Sequence, residues 1–400
     1  MAQSTSTIRE YFGLNRSGFM LDPETDYECY AGRNTEKAIL ADRVGAAADV
    51  EAAPKLVLWG VYGGGKTHTE FYVGKKTLGE RGTDTMYVEC PDLEKNSTFL
   101  DLYKEIMMCI GIDKTKSILQ QYLLRLGDSQ FRQFFVNQDV AAVCVKLVLS
   151  NPGSEDQIKA WRWLVGEQVG SGESITLGAT APLTSREAAK LLAKLGKMHK
   201  EVNGKNLVVL IDEVEKVGDV TDTHGLGTFE TAFRELSERL QKHFGFVCAC
   251  TAKDYEAIVG PLSAEAVSTR IGEGNYIPIS SLMDDEVKPF IKGLLAYVVD
   301  PNQAAQRIKA LETKGQQVHP DFFPFTEEAI NTIAVHISED PRRRTPRIIS
   351  DLMNDSATEA KREGRSIIDV DAVQRAIGTR EKAPRPTVEE RATRRRRRSR

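Results

Sequence analysis

The stretch Gly60-Val-Tyr-Gly63-Gly64-Gly65-Lys66-Thr67 places glycines, a cation and a hydroxyl in the order G-x-x-x-x-G-K-[ST]. Glycines let the backbone curl until its N–H groups point inward at phosphate oxygens, and the positive end of a following helix adds to the attraction. In such a loop Lys66 reaches the β- and γ-phosphates and Thr67 offers its hydroxyl to Mg²⁺. His68 continues the same nucleotide-binding segment. The plain alternative is a chance glycine-rich turn, which leaves unexplained the apolar run Lys55-Leu-Val-Leu-Trp59 directly before the loop. A phosphate loop needs a partner that holds the metal and activates water. Leu207-Val-Val-Leu-Ile211 ends in Asp212-Glu213, 145 positions after Thr67. At the C-terminal end of a buried strand, Asp212 can hold Mg²⁺ through water and Glu213 can polarise the attacking water. Alone, the pair reads as a solvated strand end; with the loop, it reads as the second half of an ATP site.

Guanine-specific proteins read their base with an N/T-K-x-D segment. Thr251-Ala-Lys-Asp254 has those letters in the wrong order, so guanine specificity is unsupported and ATP is the expected nucleotide.

These residues need a scaffold. Lys55–Gly60, Thr85–Cys90, Leu207–Ile211 and Gly245–Thr251 are short apolar runs separated by helical periods, the pattern of an α/β unit with a parallel sheet and helices on both faces. The long gap of about 91–205 reads as a helical insertion within a nucleotide-binding core of 55–282. Thr184-Ser-Arg-Glu187 has capping-box spacing, and the helix it starts should end near Gly204. Residues 1–54 form an N-terminal segment with a helix over Asn34–Ala48, residues 283–380 an all-helical lid, and residues 381–400 a disordered basic tail. Trp161 and Trp163 flank Arg162, an arrangement that could stack on bases, but large apolar residues on a helix are more often core.

At 400 residues the chain can bury several cores, and 41% hydrophobic with 28% charged residues is globular composition. No apolar run is long enough to cross a membrane, and no secretory signal opens the chain. Six cysteines lie scattered without metal-ligand spacing, the usage of reduced thiols in a cytoplasmic protein. The net charge is −3, but residues 391–400 carry seven arginines, and removing those positive charges leaves −10 on the rest. An acidic body with a basic tail is not a uniformly basic nucleic-acid binder.

The loop, Asp212-Glu213, a polar Thr251 ending the next strand and the helical C-terminal part resemble the AAA+ superfamily. Tyr30-Ala-Gly-Arg33-Asn-Thr-Glu36 resembles the adenine-side entry segment of initiator-type members related to origin-recognition proteins. Phe323–Ile330 through Thr345-Pro-Arg347-Ile-Ile resembles their lid. That resemblance, over about residues 28–378, implies sensor roles for Thr251 and Arg347, with Arg342, Arg343 and Arg344 as alternatives. It also implies a ring or filament in which a neighbour supplies an arginine to the γ-phosphate. Arg270, in Ser268-Thr-Arg270-Ile-Gly272, stands in the family's usual place; Arg234 and Arg239 are rivals, and a surface ion pair is the bland reading. The long insertion departs from most initiators and looks similar to ATP-binding proteins of BREX-like phage-defence systems.

The expected protein is therefore an Mg-ATP-dependent switch that oligomerises on, or is regulated by, DNA or a DNA-bound partner, in phage defence or a mobile element. An ATP-gated signalling or scaffold protein with incidental hydrolysis is the alternative, and a protein-remodelling ATPase a third reading.

Overall fold

The computed structural model describes residues 6–238, 241–313, 315–316 and 318–382. Arg239, the arginine-rich run 391–400 and all but the first two residues of 381–400 lie outside them. Contacts divide the chain into two compact units: Asp22–Ser280, and a second that joins the described parts of 1–21 and 281–400.

In the first unit five strands, β1 (Lys55–Gly60), β2 (Asp84–Glu89), β3 (Leu207–Asp212), β4 (Phe244–Thr251) and β5 (Tyr276–Pro278), form one parallel sheet in the order β2-β3-β4-β1-β5. Every residue of β3 is buried, as expected of a parallel strand covered on both faces. Alternate residues feed two cores. Leu56, Leu58, Val208 and Leu210 face one, with Leu40 and Val44 of helix α1 (Asn34–Asp49). Val57, Val209, Ile211 and Phe246 face the other. Four strands match apolar runs in the sequence; β5 has three residues and ends in proline, so no run announces it.

Parallel pairing brings all the strand C-termini to one edge. Gly60 lies opposite Thr251, and Glu89 opposite Asp212. Helix α2 (Lys66–Phe71) starts directly from the glycine loop and continues through a wider-wound π-helical segment, Tyr72–Leu78. That segment lies close to the sheet at Gly74, where a Cβ would come within 2.6 Å of Leu210 Cδ1.

The insertion between β2 and β3 is helical throughout its regular elements: α3 (Phe99–Ile110), α4 (Ile112–Leu126), α5 (Asp128–Phe134), α6 (Gln138–Leu149), α7 (Glu155–Leu164), α8 (Ser171–Leu177) and α9 (Ser185–Asn203). Tyr103, Trp163 and Leu192 belong to the same core as Val209 and Phe246, so the insertion extends the sheet's core. Trp163 is buried and donates its indole N–H to Ala181 O at 3.2 Å, while Trp161 packs against the same core. Helix α9 begins with the capping box: Thr184 Oγ1 accepts from Glu187 N, and Glu187 Oε2 accepts from Thr184 N at 3.1 Å. It ends at Gly204, whose φ of 73° suits glycine. Helices α10 (Thr223–Ser237) and α11 (Glu265–Ile271) complete this unit's main elements.

The second unit contains α12 (Asp284–Val298), α13 (Pro301–Glu312), α14 (Glu327–Ser338), α15 (Pro346–Arg362) and α16 (Val370–Lys382). Pattern alone groups residues before β1 together, yet Phe19 packs here: its N–H donates to Asn354 Oδ1 at 2.9 Å and its ring meets Phe325 edge-on at 5.4 Å. No helix among the described residues is long and apolar enough to cross a membrane.

Helix α9 meets β4 through Gly196, where a Cβ would stand 2.8 Å from Phe244 Cβ and 2.9 Å from His243 O. A side chain there must push helix and strand apart. Gly196→Val is expected to destabilise the unit by about 1–3 kcal/mol, the usual cost of overpacking, read as a lower urea midpoint. An unchanged midpoint refutes the tight contact.

Candidate functional site

The glycine loop is shaped by its own backbone before any ligand enters. Gly63 and Gly65 have φ of 76° and 96°, where a side chain is strained. A Cβ on Gly60 would lie 2.2 Å from Ile279 O, and one on Gly64 3.0 Å from Val61 O. The loop is thus a cradle of bare backbone that side chains would fill. Lys66, at the start of α2, is buried and donates to Gly60 O and Val61 O, both at 3.2 Å, spanning the loop's entrance.

Thr67 and Asp212 meet. The threonine hydroxyl donates to Asp212 Oδ2 at 2.5 Å, and Tyr87 OH reaches the same oxygen at 3.2 Å. Asp212 Oδ1 accepts from Glu213 N at 2.8 Å. Burial pushes the Asp212 carboxyl above its ordinary range, although the Thr67 hydroxyl and the Glu213 N–H pull the other way. Among the described residues no group of three or more His, Cys, Asp or Glu could hold a metal. A hydroxyl beside one carboxylate is nevertheless the donor set that suits Mg²⁺, which keeps waters and takes its remaining oxygens from substrate phosphates.

Glu213 sits at φ 56°, ψ 35°, a left-handed conformation that costs a non-glycine residue about 1–3 kcal/mol. The turn directs it away from Asp212 and toward Lys216, whose Nζ is 2.9 Å from Glu213 Oε2. Lys216 also contacts Glu89 at 3.0 Å, Asp92 at 3.3 Å and Cys90 O at 2.8 Å. Burial alone would lower the Lys216 pKa, but its bonds to Glu213 and Glu89 outweigh that and hold it well up. Thr251, at the end of β4, is fixed through its backbone: its N–H donates to Glu215 Oε2 at 2.9 Å.

Three residues enter the site without a role legible beforehand. Arg33 is buried in a left-handed conformation of its own (φ 52°), donating to Gly64 O and, at 2.8 Å, to Ser280 O, with Glu36 as counter-ion at 2.9 Å. Its signal was the Tyr30–Glu36 segment, read for its adenine side rather than for a clamp on the loop. Glu70, on the inner face of α2, is fully buried with neither carboxylate oxygen hydrogen-bonded. Burial, then the Asp212 charge, push its carboxyl well up and favour the neutral acid. Tyr30 stacks between Tyr72, at 4.4 Å, and His68, at 5.9 Å, and its hydroxyl meets Thr69 Oγ1 at 2.8 Å. His68 therefore spends its side chain on Tyr30, and burial lowers its imidazole to about 4.

The candidate arginines belong to both units. Arg270, in the last turn of α11, pairs with Glu238 at 2.9 Å, so within one chain it is an ion pair. Arg234 is exposed on α10. Arg347 belongs to the second unit, in the first turn of α15, near Asp351. Its alternatives are each paired there: Arg342 with Asp340 at 2.9 Å, Arg343 with Glu339 at 3.5 Å and Arg344 with Asp284 at 3.0 Å.

The sheet order, the loop after β1 and the acidic end of β3 together make a P-loop-like α/β fold with an all-parallel five-stranded sheet. No family model matches the sequence, and no curated protein matches it. Among solved structures, the ORC2 protein of Aeropyrum pernix in its ADPNP–ADP complexes aligns over 94% of this chain and 74% of its own, with 14% identity and a TM-score of 0.53. The ORC1 protein of the same organism, in complex with DNA, aligns over 87% and 65% at 11% identity and 0.42. The RuvB Holliday junction branch migration motor of Thermotoga maritima aligns over 90% and 73% at 13% and 0.40. The likeness concerns the fold, and the ORC2 alignment is the one of these that supports it.

The Arg33 contacts imply a positioning role. Arg33→Ala removes the fork that ties Gly64 to Ser280, and hydrogen bonds from a charged group are worth about 1.5–3 kcal/mol. Calorimetry should show affinity for a non-hydrolysable ATP analogue reduced about tenfold or more. Arg33→Lys should recover little, because a single ammonium cannot hold both carbonyls and Glu36 in the fixed plane that Nη1 and Nη2 share. Unchanged affinity in Arg33→Ala rules the clamp out.

Proposed function

We propose that this chain is an ATP-dependent switch that binds and hydrolyses Mg-ATP in the loop of Gly60–Thr67 and couples that cycle to assembly on DNA or on a DNA-bound partner. The observation that carries the reading is the convergence of Lys66, Thr67 and Asp212, with the Thr67 hydroxyl 2.5 Å from the carboxylate at the base of a side-chain-free cradle. Backbone N–H groups of Gly63, Gly64, Gly65, Lys66, Thr67 and His68 receive the phosphates, and Lys66 turns from the Gly60 and Val61 carbonyls to the β- and γ-oxygens. Thr67 and Asp212 would hold Mg²⁺, which supplies charge neutralisation along the phosphates. Glu213 accepts the proton of the attacking water once its carboxylate leaves Lys216. Thr251 orients that water, and Arg347 is the proposed sensor arginine for the γ-phosphate.

Charge supports the metal requirement. Glu70 lies in the field of Asp212, Lys66 and Glu215, and Asp212 in that of Glu213, so a triphosphate entering beside Lys66 also meets negative charge that a divalent cation would offset. Two substitutions separate binding from chemistry. Lys66→Ala should weaken ATP binding severely while the fold survives, and Glu213→Gln should bind ATP normally yet turn it over about a hundredfold or more slower. Wild-type affinity in the first, or wild-type turnover in the second, removes the assignment.

Arg270 completes the site of a neighbouring copy in this proposal, exchanging Glu238 for the γ-phosphate on assembly. Arg270→Ala and Lys66→Ala chains, each inactive alone, should regain turnover when mixed, because each supplies what the other lacks. No recovery, with mixed assembly verified by co-purification of one variant with a tagged copy of the other, shifts the role to Arg234 or Arg239.

The Lys216–Glu213 ion pair at 2.9 Å favours a second reading, an ATP-gated scaffold with incidental hydrolysis, because it occupies the base. Assembly that follows ATP, with turnover indifferent to Glu213→Gln, identifies that case.

A further inference from the structure

The exposed face of α9 stands out against the acidic body. Arg186, Lys190, Lys194 and Lys197 recur at spacings of four, four and three, which places them on one stripe of the helix. Lys200 flanks the stripe, and Lys242 and His243 continue the basic surface from the start of β4. Successive cations rise about 6.0, 6.0 and 4.5 Å along the helix axis, at 1.5 Å per residue.

Acidic neighbours are engaged at the two ends of the stripe or by other groups. Glu187 serves the capping box and accepts from Asn137 Nδ2, Glu235 pairs with Arg186 at 3.7 Å, and Glu201 lies 3.6 Å from Arg125 and 3.9 Å from Lys197. Neither Lys190 nor Lys194 has a carboxylate within ion-pair distance among the described residues. Lys194 lies over the Phe134 ring at 4.1 Å, and Lys197 over the same ring at 5.4 Å. Burial and then the repulsion of Lys197 and Lys190 lower the Lys194 pKa, and burial and then Lys242 and Lys200 lower that of His243, which favours its neutral form, so these lysines act on one shared surface.

Beside the stripe opens a cavity of about 250 Å³. Its floor is apolar, from Phe135, Val140 and Leu191, and Lys190 and Lys194 stand at its rim. It is smaller than the roughly 300–1,000 Å³ of whole-ligand sites, so it suits one ring of a larger molecule. Asn137 also lines it, but its side-chain oxygen already caps α6, accepting from Asp139 N at 2.7 Å and Val140 N at 3.1 Å. Glu187 lines it as well, with its oxygens taken by the capping box and by Asn137 Nδ2, so the cavity offers apolar contact beside polar groups that already have partners.

We infer that this stripe and its cavity form a binding surface for single-stranded nucleic acid, with the Lys190, Lys194 and Lys197 ammonium groups on successive phosphates and an unpaired base in the cavity, read without sequence preference. The inference deepens the DNA-linked reading above and rests on it. A phosphodiester strand supplies both features of the surface, regularly spaced negative charge and a flat ring free to leave the backbone.

The test uses the full chain, with the arginine-rich run at 391–400 present in every protein so that its contribution cancels. Lys190→Gln/Lys197→Gln removes two cations while sparing Lys194, which packs on Phe134. Anisotropy with a labelled mixed-sequence 20-nucleotide strand, over a salt series, should show about tenfold weaker binding in the variant. Its log–log salt slope should be shallower by about 1.4, at 0.7 per lost phosphate contact on a single strand. ATP affinity should be unchanged, and a blunt duplex should bind the wild type more weakly than the single strand. If the wild type binds the strand but the variant keeps its slope, the surface lies elsewhere and the DNA-linked reading survives. Equal binding of duplex overturns the single-strand assignment. Tighter binding of poly-glutamate than of the oligonucleotide points to an acidic protein and overturns it too. No binding of any nucleic acid by the wild type sinks both this inference and the DNA-linked reading.

Discussion

A parallel sheet imposes one condition on everything around it: all strands end on the same side, and each must be reached by a crossover long enough to return the chain. In Asp22–Ser280 that condition puts the glycine loop after β1, the carboxylates after β3 and Thr251 at the end of β4 along one edge. The register pairs Gly60 with Thr251 and Glu89 with Asp212. Residues far apart in sequence become neighbours because backbone hydrogen bonds leave no other placement. The long helical crossover between β2 and β3 is the largest such return, and it shares the sheet's core.

At that edge the site is held under electrostatic tension. Asp212 is buried and pushed up, Glu70 is buried without hydrogen-bonded oxygens, and Glu213 occupies a strained backbone conformation with its carboxylate on Lys216. Such costs are tolerated where surrounding packing over-determines them, and they cluster at functional sites. Two of the three non-glycine residues with positive φ among the described residues, Arg33 and Glu213, belong to this one site.

How much of this was legible in the sequence follows the range of each interaction. Local signals read well: the glycine loop, the apolar runs of β1 and β3, and the Thr184–Glu187 capping box all depend on residues within a few positions of one another. Three-residue β5 escapes because its place comes from pairing with β1 rather than from its own pattern. The packing of Phe19 against Asn354 and Phe325 escapes for the same reason, since it spans more than 300 positions. Within the site, Lys66, Thr67, Asp212 and Glu213 carry a motif. Arg33 on Gly64 and Glu215 on Thr251 have none, because a side chain that bonds a backbone group leaves no pattern at the acceptor. His68 belongs to the motif by position, while its ring stacks on Tyr30, a contact that no motif announces.

The Arg33 fork has a mechanical consequence. One nitrogen, Nη2, serves both Gly64 O in the loop and Ser280 O at the point where the chain leaves the sheet unit. A guanidinium is rigid and planar, so it behaves as a strut rather than a tether. The loop and residue 280 are therefore held at a fixed separation. The first glycine of the loop abuts Ile279 O as well, which leaves the segment at 279–280 little slack. The shape of the cradle thus depends on a stretch of chain more than 200 residues further along the sequence.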